Sequence, residues 1–183
     1  VIGFDHDPEV QQGAYQLVCA DYMERPFPHC YDEHDGSDFL LDGGFDAMDA
    51  GSSEVIAAAA GEVVAVEDGH YDHCHGDLST METTCDGFPI IGNSVILEHP
   101  SGHRTLYWHF MKDSIVVAVG DDVEAGEVLG WIGSSGNRVQ PHLHFDLQDG
   151  SGASIDPYAG DLSQPESWWC EQGDPDDLPG TCG

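Results

Sequence analysis

The chain has 183 residues, 40% of them hydrophobic, which suits a single domain with a sizeable core and excludes a disordered acidic polymer. Only 4 Lys and Arg stand against 35 Asp and Glu, a formal net charge of −31 that excludes nucleic acid and anionic membrane surfaces as partners. The charge reads as a solvated surface, and the preponderance of Asp over Glu favours turns over helices.

The six cysteines form three neighbouring pairs, Cys19/Cys30, Cys74/Cys85 and Cys170/Cys182, with no C-x2-C zinc knuckle among them. An even count in adjacent pairs implies sequential disulfides and an oxidising compartment. Each would close a loop of about a dozen residues, worth roughly 2–3 kcal/mol. No apolar run approaches the ~20 residues of a membrane span. Val1-Ile2-Gly3 is not a signal peptide, so a secreted, periplasmic or cell-envelope protein is expected, its targeting segment removed.

Residues 1–30 read as an N-terminal arm stapled by Cys19 and Cys30, with room for a short helix between Gln11 and Met23 and no assigned chemistry. In Tyr31 to Leu41, His34 and Asp38 stand four apart around Gly36; on a strand they would share a face, and the glycine would admit a close neighbour. A His nitrogen and an Asp oxygen are both zinc ligands. Asp42 to Gly51 is a Gly- and Asp-rich bend. Val55 to Ala60, Gly61 and Glu62 to Val66 then read as strand, turn, strand, the β-branched residues outweighing the alanines.

Residues 68–90 form an excursion closed by Cys74 and Cys85. Its His70, His73 and His75 are exposed loop residues or, as a second reading, another metal site. Asn93 to His99 and His103 to Phe110 make a hairpin. Strand alternation puts Thr105, Tyr107 and His109 on one face and Leu106, Trp108 and Phe110 on the other. Ile115 to Gly133 has the turn-and-strand pattern of small β folds, and Gly133 to Asn137 reads as a flexible loop.

The next strand organises the chain. In Gln140-Pro141-His142-Leu143-His144-Phe145-Asp146-Leu147, alternation sends His142, His144 and Asp146 one way and Leu143, Phe145 and Leu147 to a core. Two imidazoles on one stiff strand can aim at one metal or reaction centre. Beyond Tyr158, the tail at 161–183 carries Trp168-Trp169 and the last cysteine pair.

His-x-Gly-x-Asp, Leu-Tyr-Trp-His and Gly-Ser-Ser-Gly followed by Pro-His-Leu-His-Phe-Asp, in that order, resemble the LytM/lysostaphin-type zinc metallopeptidases, the M23 family of peptidoglycan endopeptidases. The resemblance covers about residues 31–158, within a peptidase domain expected at 31–160. It implies a mostly-β, antiparallel fold with a groove, here with disulfide-stapled terminal extensions. It implies one Zn2+ per chain on His34, Asp38 and His144, with His109 and His142 as the unligated catalytic pair. The expected function is secreted zinc endopeptidase, acting as a monomer on peptidoglycan stems or cross-bridges. The alternatives are a catalytically inactive binding or regulatory module on the same fold and a metal-storage or adhesion protein. One departure is an insertion of about eight residues after Asp38; an ungapped register would instead place Asp42 and Asp46 at the first motif.

Overall fold

Strands form where β-branched and aromatic residues alternate with polar ones. The computed structural model describes residues 1–9, 18–77 and 82–180. In chain order its elements are β1 (Ser37–Leu40), α1 (Gly44–Asp49), β2 (Glu54–Ile56), β3 (Gly61–Glu67), β4 (His75–Asp77) and β5 (Glu82–Thr84). They continue with β6 (Ser94–Glu98), β7 (Arg104–Trp108), β8 (Asp122–Val123), β9 (Val128–Trp131), β10 (His142–Gln148) and β11 (Ser154–Ile155). An antiparallel sheet in the order β1-β10-β7-β6-β3-β8, with β11 on the end of β10, carries the fold. Two small ribbons, β2–β9 and β4–β5, stand beside it.

Register decides which side chains share a face. Phe39 pairs with Leu143, Phe145 with Tyr107, and Tyr107 with Val95. These residues form the core with Val55 and Leu129 of the β2–β9 ribbon. Burying each large side chain stabilises the fold by about 1.5–3 kcal/mol. On the opposite face the register sets Asp38 against His144 and His144 against Trp108. One face of the sheet is thus spent on the core, and the other displays the polar residues of the same strands.

Both termini are tied to this sheet. Ile2 and Asp38 exchange backbone hydrogen bonds of 3.0 and 2.8 Å, which covers the edge of β1. Trp169 of the tail packs against Phe39, Phe145 and Tyr158. Cys19–Cys30 and Cys74–Cys85 are disulfides, as the sequential pairing implied. Cys182, the partner expected for Cys170, lies outside the described residues, as does most of the helix expected between Gln11 and Met23. Residues 18–23 are not helical.

Two local expectations are corrected. The bend at 42–51 contains α1, where Gly43 and Gly44 in left-handed backbone let the chain turn into a single helical stretch. His34 is not on a strand: β1 starts at Ser37, and Glu33 with φ 60° curls the preceding turn so that the His34 N–H reaches the Tyr31 carbonyl.

Candidate metal centre

β10 supplies the fixed side of the site and β1 delivers Asp38 directly opposite His144. The curled turn before β1 folds His34 over the same point. His34 Nε2, Asp38 Oδ1 and His144 Nδ1 converge at 3.2 Å (His34–Asp38), 2.9 Å (Asp38–His144) and 3.2 Å (His34–His144). Among the described residues this is the group of metal-ligating side chains that comes together. The motif glycine explains itself here. A Cβ on Gly36 would lie 2.6 Å from the Phe145 carbonyl oxygen and 2.7–2.8 Å from the His144 ring.

The donor set fits a cation. His34 Nδ1 lies 2.6 Å from the Gly3 carbonyl, so that nitrogen carries the proton and donates. A neutral imidazole then has only a lone pair at Nε2, and it faces the carboxylate oxygen of Asp38. Acceptor against acceptor, both buried, requires either an extra proton or a positive ion. Donor spacings near 3 Å also match what a tetrahedral zinc with bonds of about 2.0–2.1 Å requires, roughly 3.3 Å between ligands. Burial opposes charge on Asp38, yet the surrounding His34 and His142 outweigh it and hold the carboxyl well below the usual range. Tyr31 completes the wall; its ring stacks on His34 at 4.1 Å and its hydroxyl donates to Asp38 Oδ2 at 3.4 Å. Burial, then Asp38 and Asp35, push that phenol well above its ordinary value.

His109 and His142 flank the cluster, their rings 4.8 Å apart. His142 donates from Nδ1 to the Gln140 carbonyl at 2.8 Å, and its Nε2 lies 3.4 Å from Asp38 Oδ1. His109 arrives by a route that alternation did not foresee. Tyr107, expected beside it, faces the core instead. The chain switches sides at His109, which adopts a left-handed φ of 74°, while the N–H groups of His109 and Phe110 both reach the Asn93 carbonyl. Such a bulge re-aims a side chain, and left-handed backbone in a non-glycine residue costs about 1–3 kcal/mol.

The loop expected to be flexible at 133–137 is what holds His109 in place. Ser134 and Ser135 are fully buried. The Ser135 carbonyl accepts His109 Nδ1–H at 2.7 Å, and its hydroxyl joins Asn93 N–H to the Phe110 carbonyl. His109 Nε2 is left as an acceptor. Burial, then His142, Arg138 and His144, hold His109 well below the usual imidazole range, so it stays neutral.

The remaining sequence candidates do not join the cluster. Asp42 and Asp46 are exposed, Asp46 on α1. His70 turns to Glu67, His73 bridges Asp72 and Asp49, and His75 meets the His73 carbonyl. Three contributors were missed from sequence: Asn93, Ser135 and Gly3. The first two act as small polar residues pinned at a bulge. Gly3 acts through its carbonyl, for which a sequence holds no signal. Arg138, also not singled out, is buried beside the histidines, and burial brings it down to about 10, still charged at neutral pH.

The chain is 43% identical over 61 residues to the glycyl-glycine endopeptidase ALE-1 of Staphylococcus capitis, covering 33% of this chain and 16% of that protein. It is 36% identical over 75 residues to the DD-carboxypeptidase/endopeptidase Mpg of Neisseria meningitidis, covering 41% and 16%. The chain thus spans about a sixth of the length of these two relatives. A crystal structure of a zinc-containing peptidase from Vibrio cholerae shares the fold, with a TM-score of 0.50 and 22% identity over 90% of this chain and 40% of that one. Residues 33–157, which run from the turn bearing His34 past the end of β11, match the family model for Peptidase family M23. That match takes in well over half of the sequence, and the chain belongs to peptidase family M23.

Proposed function

We propose that this protein is a zinc endopeptidase that hydrolyses peptide bonds in bacterial cell-wall peptidoglycan. The observation that carries the reading is the convergence of three lone-pair donors, His34 Nε2, Asp38 Oδ1 and His144 Nδ1, beside two further histidines. These three residues would hold one zinc per chain. Bound there, zinc would supply a Lewis acid and lower the pKa of water to about 7. His109, neutral and with Nε2 free, is placed to accept a proton from the attacking water. His142 is placed to steady the developing oxyanion or to carry a proton to the leaving amine. The Gly3, Ser135 and Gln140 carbonyls fix the tautomers of His34, His109 and His142. No side-chain nucleophile is required, and the paired cysteines are structural.

Peptide-bond hydrolysis is supported by the endopeptidase activities for which ALE-1 and Mpg are named, and the peptidoglycan substrate by membership of the M23 family, whose motifs the chain carries. An extracytoplasmic location is supported by the disulfides Cys19–Cys30 and Cys74–Cys85, and no helix among the described residues is long and apolar enough to cross a membrane.

Two variants test the assignment of roles. His144→Ala should lose bound zinc and hydrolysis together. His109→Ala should keep zinc and lose hydrolysis by about 10²–10⁴-fold, the usual contribution of a general base. Full zinc occupancy in His144→Ala would overturn the ligand set. Unimpaired turnover in His109→Ala would overturn the base. A wild-type protein that binds zinc and wall fragments without cutting them would instead be a binding module.

A further inference from the structure

The chain has four cationic side chains, and one of them is buried beside the candidate catalytic histidines without a carboxylate partner. Arg138 is 5% exposed. Its Nη2 reaches the Gly136 carbonyl at 3.4 Å, while Nε and Nη1 have no acceptor among the described residues. The other two arginines are paired, Arg25 with Asp21 and Asp176, and Arg104 with Glu98.

The nearest acids do not explain Arg138. Asp38 and Asp72 lie close enough to influence its charge, but neither comes within ion-pair distance. Both are already committed. Asp38 Oδ1 faces the three histidines and its Oδ2 accepts from Tyr31. Asp72 Oδ1 meets His73, and its Oδ2 accepts the Lys112 N–H. A buried guanidinium with unused donors is costly unless something negative completes it.

The location says what that is. Arg138 lines a cavity of about 400 Å³ together with Asp38, His109, His142 and Tyr31. A peptide that presents a scissile bond to His109 from this cavity would lie beside Arg138. Two backbone carbonyls tie the loop to the β4–β5 ribbon: that of Arg138 accepts the Thr83 hydroxyl at 3.0 Å, and that of Val139 accepts the Gly76 N–H. A planar fork of N–H donors matches a carboxylate better than a carbonyl. On a surface with a net charge of −31, an acidic peptide would otherwise be repelled.

We propose that Arg138 is a specificity-determining residue that binds a free carboxylate of the substrate peptide near the scissile bond, so that carboxylate-bearing stems are selected over amidated ones. The inference rests on the endopeptidase reading above and deepens it. Arg138 acts on substrate binding rather than on the bond-breaking step.

The test uses pairs of synthetic stem peptides that differ only in a carboxylate or a carboxamide, varied one position at a time around the scissile bond. Cleavage and equilibrium binding are read for the zinc-loaded protein. At one position the carboxylate peptide should show a KM and Kd about 10–100-fold lower than its amide, with similar kcat, the ratio expected for a charge-assisted hydrogen-bonded pair. Arg138→Gln should bring the two KM values together, and Arg138→Lys should restore the preference in part. Cleavage without preference at every position would overturn the role of Arg138 and leave the peptidase standing. Carboxylate-dependent binding lost in Arg138→Gln, with no cleavage, would support the anion site and overturn the peptidase. Neither binding nor cleavage would overturn both. The wild-type comparison needs no variant, so the absence of any preference overturns the role of Arg138 even if Arg138→Gln does not fold, and Arg138→Lys then serves to assign a preference that is found.

Discussion

Replacing Gly36 by alanine adds one methyl group where the fold has no room for it. The new Cβ would stand 2.6 Å from the Phe145 carbonyl oxygen and 2.7–2.8 Å from Cε1 and Nε2 of His144, about 0.6–0.8 Å short of ordinary contact. Phe145 cannot retreat, because β10 is paired on one side with β1 and on the other with β7. The His144 ring is the part able to move, and moving it separates Nδ1 from Asp38 and His34. Overpacking of this kind costs about 1–3 kcal/mol. Gly36→Ala should therefore lower the midpoint of chemical denaturation. It should also weaken zinc binding, measured by competition with a chromogenic chelator, by at least the 10–100-fold typical of a disturbed ligand shell. Wild-type zinc affinity together with an unchanged denaturation midpoint would refute the reasoning, since the contact would then have no consequence.

Further expectations follow from individual contacts. Tyr107→Phe removes the hydroxyl that accepts the Ala58 N–H at 2.8 Å and meets Thr105 Oγ1 at 3.1 Å. Leaving that N–H without a partner should cost about 1–3 kcal/mol of stability by urea denaturation, and no change would show that the hydroxyl contributes nothing. Removing residues 1–5 deletes the Gly3 carbonyl behind His34 and should weaken zinc binding by about 10–100-fold while leaving the β10 pairing intact; equal affinity would rule out the arm as support for the site. At His73, partial burial is outweighed by hydrogen bonds to Asp72 and Asp49, which raise its proton affinity. A folded value above the unfolded one gives stabilisation that is complete below about pH 6.5 and lost as pH rises through the folded value. The side chain is 44% exposed, so the effect should stay below about 1 kcal/mol. His73→Gln should narrow the stability difference between mildly acid and alkaline buffer, and an unchanged difference would discount the bridge.

The sheet was legible because β10 carries its instructions locally. Strict alternation separates Leu143, Phe145 and Leu147 from His142 and His144, and no other period suits that stretch. The hairpin of β6 and β7 was legible from its two β-rich runs and the short turn between them. Alternation failed where the backbone leaves the strand region. The left-handed φ at His109 reverses its face, so period two wrongly groups Tyr107 with His109 at the site, whereas Tyr107 faces the core and Phe110 joins it there. His34 was grouped with Asp38 correctly as a pair in space but for the wrong local reason, because the turn at Glu33 rather than a shared strand face brings it over. The short α1 hid in a run of Gly and Asp with weak helix propensity. Ser134 and Ser135 looked mobile by composition, yet their hydroxyls are pinned by partners 25 to 60 positions away. Arg138 was silent, because what distinguishes it is the absence of a partner in three dimensions.

The most direct test of the account is digestion of purified peptidoglycan by the zinc-loaded protein, with and without a chelator, followed by mass spectrometry of the released fragments. The account requires chelator-sensitive appearance of new amine and carboxyl termini from one kind of peptide bond. Intact wall material from several sources, with zinc bound in a one-to-one ratio, would contradict it.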